Sequence, residues 1–158
     1  MTELQGAVGL AQLAKLDDVI EGQRASHESL REAVAPVAGI SIRCEPEGSM
    51  STYDAFVFEV PSSEFARLCR DELVKEGIGT KILPEALTWH FAAYWDHMPE
   101  LFSQHAHGLR HAFPDSERYL SRCVALPTSA VGKGPQPEVV QAVVERVLES
   151  RCPRLCPS

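Results

Sequence analysis

The sequence predicts a mixed α/β (α+β) fold, in which a short sheet is packed with helices and one long helix comes first. Segments with helical and strand-like hydrophobic periods alternate along the chain, and no repeat or low-complexity tract interrupts them. The 158 residues, 44% hydrophobic and 23% charged, suit one ordinary globular domain. We place this domain at residues 1–150 and expect the Cys/Pro-rich tail at residues 151–158 to be disordered.

The charge and hydropathy of the chain argue against several classes of function. Fifteen basic and 22 acidic side chains give a net charge of −7, which disfavours a nucleic-acid-binding surface. No apolar run approaches the roughly 18 residues of a membrane-spanning helix. The segment Met1–Gln5 lacks the basic region and apolar core of a secretory signal. We therefore expect a cytoplasmic protein that binds neither nucleic acid nor membranes.

The first predicted element is one long helix from Leu4 to about Arg31. It ends before Pro36, because proline cannot continue a helix without the loss of a hydrogen bond. As far as Ile20, its apolar side chains cover nearly the whole circumference at about 100° per residue. Such a helix must be buried on several sides, so we expect another domain or subunit to cover it. Beyond Ile20 the pattern turns polar, and this part is predicted to emerge into solvent.

Three short strands are predicted from alternating or short apolar runs, at residues 40–43, 53–60 and 78–83. A helix is predicted between the second and third strands. It starts after Ser62, whose hydroxyl can cap free backbone N–H groups, and it ends at Gly77. Its apolar stripe consists of Phe65, Leu68, Cys69 and Leu73.

The C-terminal part of the domain is predicted to add two helices and one apolar segment. A short helix starts at Pro114, and residues 123–127 form a strand or a turn. The last helix spans roughly Pro137 to Glu149 and buries about half of its circumference. Its buried side consists of Val139, Val140, Val143, Val144, Val147 and Leu148.

The five cysteines are predicted to be free thiols, since an odd count without a signal peptide argues against a disulfide framework. Three of them are expected to be small core residues: Cys44, Cys69 and Cys123. The two tail thiols, Cys152 and Cys156, cannot complete a zinc site, which needs four ligands. The histidines at 105, 107 and 111 lack a metal-binding motif, so we predict no metal site.

The stretch from Trp89 to Phe113 holds five of the six histidines and both tryptophans. Its densest part is residues 88–97, where aromatic rings next to imidazoles suit a pocket for a polar ring. The alternative is that Trp89 and Trp95 belong to the core while His90 and His97 are partly exposed.

Particular runs of residues resemble a known family. Residues 1–17, MTELQGAVGLAQLAKLD, are similar to the start of the C-terminal domain of DegT/StrS-type sugar aminotransferases. Gly77-Ile78-Gly79-Thr80 resembles the Gly-Ile-x-Thr strand of that family. Residues 122–127 resemble its Leu-x-Leu-Pro segment, and the likeness extends over about residues 1–150. The Trp-His run is most like the branch that makes 8-amino-3,8-dideoxy-octulosonate sugars.

The resemblance implies the small C-terminal domain of a fold-type-I aminotransferase dependent on pyridoxal phosphate. Such a homodimeric enzyme moves an amino group, usually from glutamate, to a keto sugar, for example for cell-surface polysaccharide. The lysine that binds the cofactor lies in the large N-terminal domain of the family. None of Lys15, Lys75, Lys81 and Lys133 matches its position. We therefore expect the large domain to be absent from this chain, which alone is inactive and does not hold pyridoxal phosphate stably.

The resemblance also assigns site residues. His90 is expected to contact the sugar, with Trp89 and Lys81 beside it, and no catalytic or cofactor-binding residue is assigned. Tyr53-Asp54 stands where the family often has Tyr-His. One alternative is a stand-alone, non-catalytic sugar-binding or subunit-interaction module, and another is a split enzyme whose lysine comes from a separate chain.

Overall fold

The structure is a computed structural model that describes residues 2–80, 91–95, 97–105, 108–109, 112–132 and 134–151. Its helices are α1 (Glu3–Leu13), α2 (Leu16–Val34), α3 (Ser63–Lys75), α4 (Pro99–Ser103), α5 (Pro114–Leu120) and α6 (Pro137–Arg151), with a 3-10 turn at Ala92–Tyr94. Its strands are β1 (Ser41–Ile42), β2 (Ala55–Glu59) and β3 (Cys123–Pro127). The predicted mixed fold, a short sheet packed with helices, is confirmed.

The three strands form one antiparallel sheet in the order β1-β2-β3. Phe58 is at the centre of the register, opposite Ile42 on one side and Val124 on the other. The first two predicted strands are confirmed in shortened form. The apolar run at 123–127 is the third strand, which pairs with β2 along all five residues.

The prediction of a strand at 78–83 is wrong for residues 78–80, which form neither strand nor helix. Residues 81–83 lie outside the described part of the chain. The cause is the end of α3. Gly77 adopts a positive φ of 75°, and the N–H of Ile78 donates to the carbonyl of Leu73 at 2.9 Å. This hydrogen bond closes the helix end, so Ile78 is turned towards the core, 9% exposed, and does not extend a sheet.

Helices α2, α3 and α6 pack on one face of the sheet and form the core with it. The valine stripe predicted for α6 is confirmed, since Val140 and Val144 are fully buried. The prediction that the chain beyond Ile20 emerges into solvent is wrong, because Leu30 and Val34 of α2 are also fully buried. These two residues are four apart and therefore form a narrow apolar stripe within a polar sequence.

The predicted long N-terminal helix is divided into α1 and α2. Lys15, at φ −105° and ψ 2°, lies outside the helical region of backbone space and breaks the helix. The second helix ends at Val34, before Pro36, as predicted. The break separates two parts with different surroundings, because α2 reaches the core and α1 does not.

Helix α1 has no buried residue. Leu4, Leu10 and Leu13 are 74%, 70% and 65% exposed. The helix is capped locally, since the Thr2 hydroxyl accepts from the N–H of Gln5 and the Gln5 side chain accepts from the N–H of Thr2. No helix among the described residues combines the length and apolarity needed to cross a membrane.

Helix α3 begins as predicted. The Ser62 hydroxyl accepts a hydrogen bond from the N–H of Phe65 at 3.4 Å and so satisfies one free donor of the first turn. The helix presents Ala66, Cys69 and Leu73 to the core, each fully buried.

Replacement of Ser62 by alanine is expected to lower the free energy of unfolding by about 1 kcal/mol, because the N–H of Phe65 loses its acceptor. Urea unfolding followed by circular dichroism measures the change. Ser63→Ala is the matched control, since Ser63 is the first helical residue and does not cap the helix. Equal losses in the two variants would contradict a capping role for Ser62.

Candidate functional site

The three residues that the sequence assigns to the sugar, His90, Trp89 and Lys81, lie outside the described residues. The segment that follows them forms an aromatic cluster. The ring of Phe91 lies 6.0 Å from that of Phe113, which in turn lies 5.5 Å from the imidazole of His105. The rings thus pack edge to face, as aromatic pairs prefer.

A cleft of about 520 Å³ lies where three segments of the chain meet. They are the turn after α3 (residues 76–79), the end of β3 with the next two residues (127–129), and the loop before α6 (134–136). We call it the α3–β3–α6 cleft. Gly77 and Pro127, from the two runs that resemble family motifs, are about 50 positions apart in sequence and line the same cleft.

The wall of this cleft is polar and fixed by hydrogen bonds. The Thr128 hydroxyl donates to the carbonyl of Tyr53 at 2.5 Å. The carboxylate of Glu76 lies 3.5 Å from the guanidinium of Arg146. Among the described lining residues, Glu76 is the one titratable side chain. The cleft can therefore hydrogen-bond a ligand, and its described wall offers hydroxyls but no lysine, cysteine or histidine.

Helix α2 holds the loop that forms one side of the cleft. Ser26 accepts a hydrogen bond on its hydroxyl from the N–H of Ser129 at 3.3 Å. A Cβ atom on Gly22 would lie 2.4 Å from the carbonyl oxygen of Ala130, so only glycine allows this approach of two backbones. The position of residues 128–130 thus depends on α2.

Tyr53 connects α2 to the same loop. Its φ of 53° is in the left-handed region, which is unfavourable for a tyrosine. Two hydrogen bonds and two ring contacts hold it there. The Thr128 hydroxyl donates to its carbonyl, and the Ser51 hydroxyl accepts from its N–H. The Arg24 guanidinium lies 5.4 Å from the centre of its ring, and the His27 ring lies at 5.3 Å.

His27 was not singled out from the sequence, although it lies on the buried side of α2. Its ring packs between Tyr53 and Phe56, and its Nδ1 atom is buried without a hydrogen-bond partner. Burial lowers the pKa of His27, because the charged ring would lose its hydration; Glu28 and Glu45 oppose this effect, and Arg43 and Arg31 add to it. The spacing His27, Leu30, Val34 (i, i+3, i+7) is the sequence signal that could have found it.

The protein is expected to lose stability at His27 as the pH falls below about 6.5, the ordinary pKa of histidine. Between pH about 6.5 and the lowered pKa of the folded chain, His27 is protonated in the unfolded chain but not in the folded one. The contribution of His27 to the free energy of unfolding is therefore fully present above pH about 6.5 and is lost as the pH falls towards the lowered pKa. Urea unfolding at pH about 7.5 and about 5.5 measures this loss. His27→Gln should reduce the pH dependence of the free energy of unfolding. A His27→Gln variant with the pH dependence of the unsubstituted protein would contradict the prediction.

The described cysteines are free thiols with different surroundings. Burial raises the pKa of Cys69 to about 12 and also raises that of Cys123, so both behave as small core residues, as predicted. The prediction for Cys44 is wrong: it is exposed, because β1 ends at Ile42 and the chain then leaves the sheet. The tail cysteines, His107 and His111 lie outside the described residues.

A sequence profile of the DegT/DnrJ/EryC1/StrS aminotransferase family matches residues 1–148. The chain belongs to this family. Its fold is similar to that of the aminotransferase TlmJ from Streptoalloteichus hindustanus, with a TM-score of 0.67 and 20% identity over 90% of this chain and 35% of that one.

Two further structures of this kind share the fold. DesI, solved in the presence of its TDP-sugar product, gives a TM-score of 0.64 and 22% identity over 96% of this chain and 36% of that one. The PMP-form of the putative sugar aminotransferase Spr1654 from Streptococcus pneumoniae gives a TM-score of 0.61 and 19% identity, over 93% of this chain and 36% of that one. The chain therefore spans about a third of the length of these structures.

The described lysines of this DegT-family chain do not suit pyridoxal phosphate. A lysine that forms an imine with the cofactor must be enclosed and able to lose its proton. Lys15 is exposed at the start of α2, and Lys75 is paired with Glu72 on the surface of α3 at 2.5 Å. Neither described lysine fits the cofactor; Lys81 and Lys133 lie outside the described residues.

Proposed function

We propose that this chain is the small C-terminal domain of a pyridoxal-phosphate-dependent sugar aminotransferase, which transfers an amino group from glutamate to a keto sugar. The observation that carries the proposal is the family match over residues 1–148. The Trp-His run supports an octulosonate sugar as the acceptor. The cofactor and its lysine belong, in this proposal, to the large domain, in agreement with the poor fit of Lys15 and Lys75.

The apolar surface of α1 supports the same proposal. Leu4, Val8, Leu10 and Leu13 point in several directions around the helix, and all four are exposed. One flat partner surface cannot cover them together. We therefore place α1 between the large domain and the second subunit of a homodimer, where apolar residues on several sides would be buried.

The proposal is tested by two measurements. The coding sequence upstream of Met1 is expected to encode, in the same frame, a large domain that contains the cofactor-binding lysine of the family. This 158-residue chain, mixed with pyridoxal phosphate and reduced with borohydride, is expected to show no stoichiometric adduct at a single lysine by mass spectrometry. A single stoichiometric adduct on one of its own lysines would overturn the assignment of the cofactor to another domain.

The alternatives give different results in the same experiments. An unrelated upstream frame, together with cofactor-free sugar binding by a folded chain, would establish a stand-alone binding module. Stable co-purification with a separate large-domain protein would establish a split enzyme. The exposed α1 surface argues against a stand-alone monomeric module, since a monomer would leave these apolar side chains in water.

A further inference from the structure

The α3–β3–α6 cleft is large enough for a small ligand. Its volume of about 520 Å³ lies within the range of about 300–1,000 Å³ that small-molecule sites occupy. It is formed by segments distant in sequence, which meet because α3 packs against both α6 and β3. Helix α2 fixes one wall through Gly22 and Ser26.

The chemistry of the described wall suits a hydroxylated ligand. Thr128 and Ser129 contribute hydroxyls, and the exposed amide of Gln136 can donate and accept. Gly77 and Gly79 allow a ligand to approach the backbone closely. No aromatic residue is among the described lining residues, so the recognition expected here is by hydrogen bonds to a ring edge and not by stacking.

The charge of the wall further restricts the class of ligand that the cleft can bind. Glu76 places a carboxylate at the rim, and the described lining residues include no basic side chain. A cationic amine is therefore favoured over an anion, although the start of α6 would favour an anion. The guanidinium of Arg146 lies 3.5 Å from the Glu76 carboxylate and neutralises part of its charge.

We propose that the α3–β3–α6 cleft binds the hydroxylated ring of an amino sugar, with Gln136 and Thr128 hydrogen-bonded to ring hydroxyls and Glu76 facing the ammonium group. The inference rests on the proposed function, in which an amino sugar is the product. It adds a binding site on this chain that lies outside residues 81–90, to which the sequence assigned the sugar.

The probe is D-glucosamine, titrated into the ¹⁵N-labelled chain and followed by amide chemical shifts. Saturable shifts are expected at Gly77, Gly79 and Ser129, with a dissociation constant in the millimolar range. Cyclohexylamine, which has the amine and the ring but no hydroxyls, should not reproduce them. Gln136→Ala is expected to weaken glucosamine binding about five- to tenfold, the loss of one hydrogen bond.

Gln141→Ala is the matched control. Gln141 lies in α6, bonds to Glu145 at 2.9 Å and does not line the cleft, so its loss should leave the affinity unchanged. If self-association through α1 broadens the spectra, the double variant Leu10→Glu, Leu13→Glu replaces the unsubstituted chain in every titration, because α1 contributes no residue to the described wall.

Four outcomes would overturn the inference: no saturable shift at the cleft, equal shifts with cyclohexylamine, shifts with inorganic phosphate alone, or an affinity that Gln136→Ala does not change. If glucosamine does not bind but a cofactor lysine is encoded upstream, the cleft is not an amino-sugar site, while the aminotransferase assignment stands. Glucosamine binding at the cleft together with an unrelated upstream frame would support the cleft and overturn the aminotransferase assignment. The two proposals therefore fail separately.

Discussion

Replacement of both Leu10 and Leu13 by glutamate is expected to weaken self-association of the chain by about 10²- to 10⁴-fold. Both side chains are mostly exposed on α1. Burial of one leucine contributes about 1.5–3 kcal/mol, so the pair contributes about 3–6 kcal/mol to any interface that covers it. Each 1.4 kcal/mol changes an association constant about tenfold. Sedimentation equilibrium over a range of concentrations measures the change directly.

The control adds the same two negative charges elsewhere. Met50 and Val131 are apolar, 86% and 78% exposed, and belong to loops outside α1. The double variant Met50→Glu, Val131→Glu should associate as the unsubstituted chain does. At concentrations where both proteins are monomeric, the α1 variant should unfold with an unchanged free energy, since α1 buries no residue within the chain. If association were equally strong in the α1 variant, this surface would not be the interface.

Local patterns predicted most of the secondary structure because they depend on neighbours in sequence. The valines of α6, the serine cap of α3 and the end of α2 before Pro36 each follow from a few adjacent residues. The break at Lys15 was not predicted, since apolar residues continue across it without proline. The exposed position of Cys44 was missed because the strand before it is only two residues long.

The candidate cleft could not be predicted from sequence, because its walls are tertiary contacts. The hydrogen bond from Thr128 to Tyr53 spans 75 positions and that from Ser129 to Ser26 spans 103. No local pattern indicates either pair. The family resemblance did single out Gly77–Thr80 and the segment that ends at Pro127, but as separate motifs. Their meeting in one cleft follows from the packing of α3, β3 and α6.

Replacement of Gly22 by alanine is expected to lower the free energy of unfolding by about 1–3 kcal/mol, towards the upper end. The added Cβ would lie 2.4 Å from the carbonyl oxygen of Ala130 and 2.9 Å from its Cα. These are backbone atoms, so no side-chain rotation relieves the overlap, and α2 or the loop must move. The roughly 0.5–1 kcal/mol that alanine gains over glycine within a helix offsets only part of the loss. Urea unfolding at neutral pH measures the net effect.

The same substitution at Gly9 separates crowding from helix propensity. No atom lies within 4 Å of the position that a Cβ on Gly9 would take. Gly9→Ala should therefore increase the helical circular dichroism of α1 and leave core unfolding unchanged, since α1 does not contact the core. Equal stability changes in the two variants would show that Ala130 tolerates the added methyl group. Loss of stability in Gly22→Ala alone, together with a shift of the Ser129 amide signal, would show that α2 positions the wall of the cleft. In that case the affinity for glucosamine should also fall in Gly22→Ala.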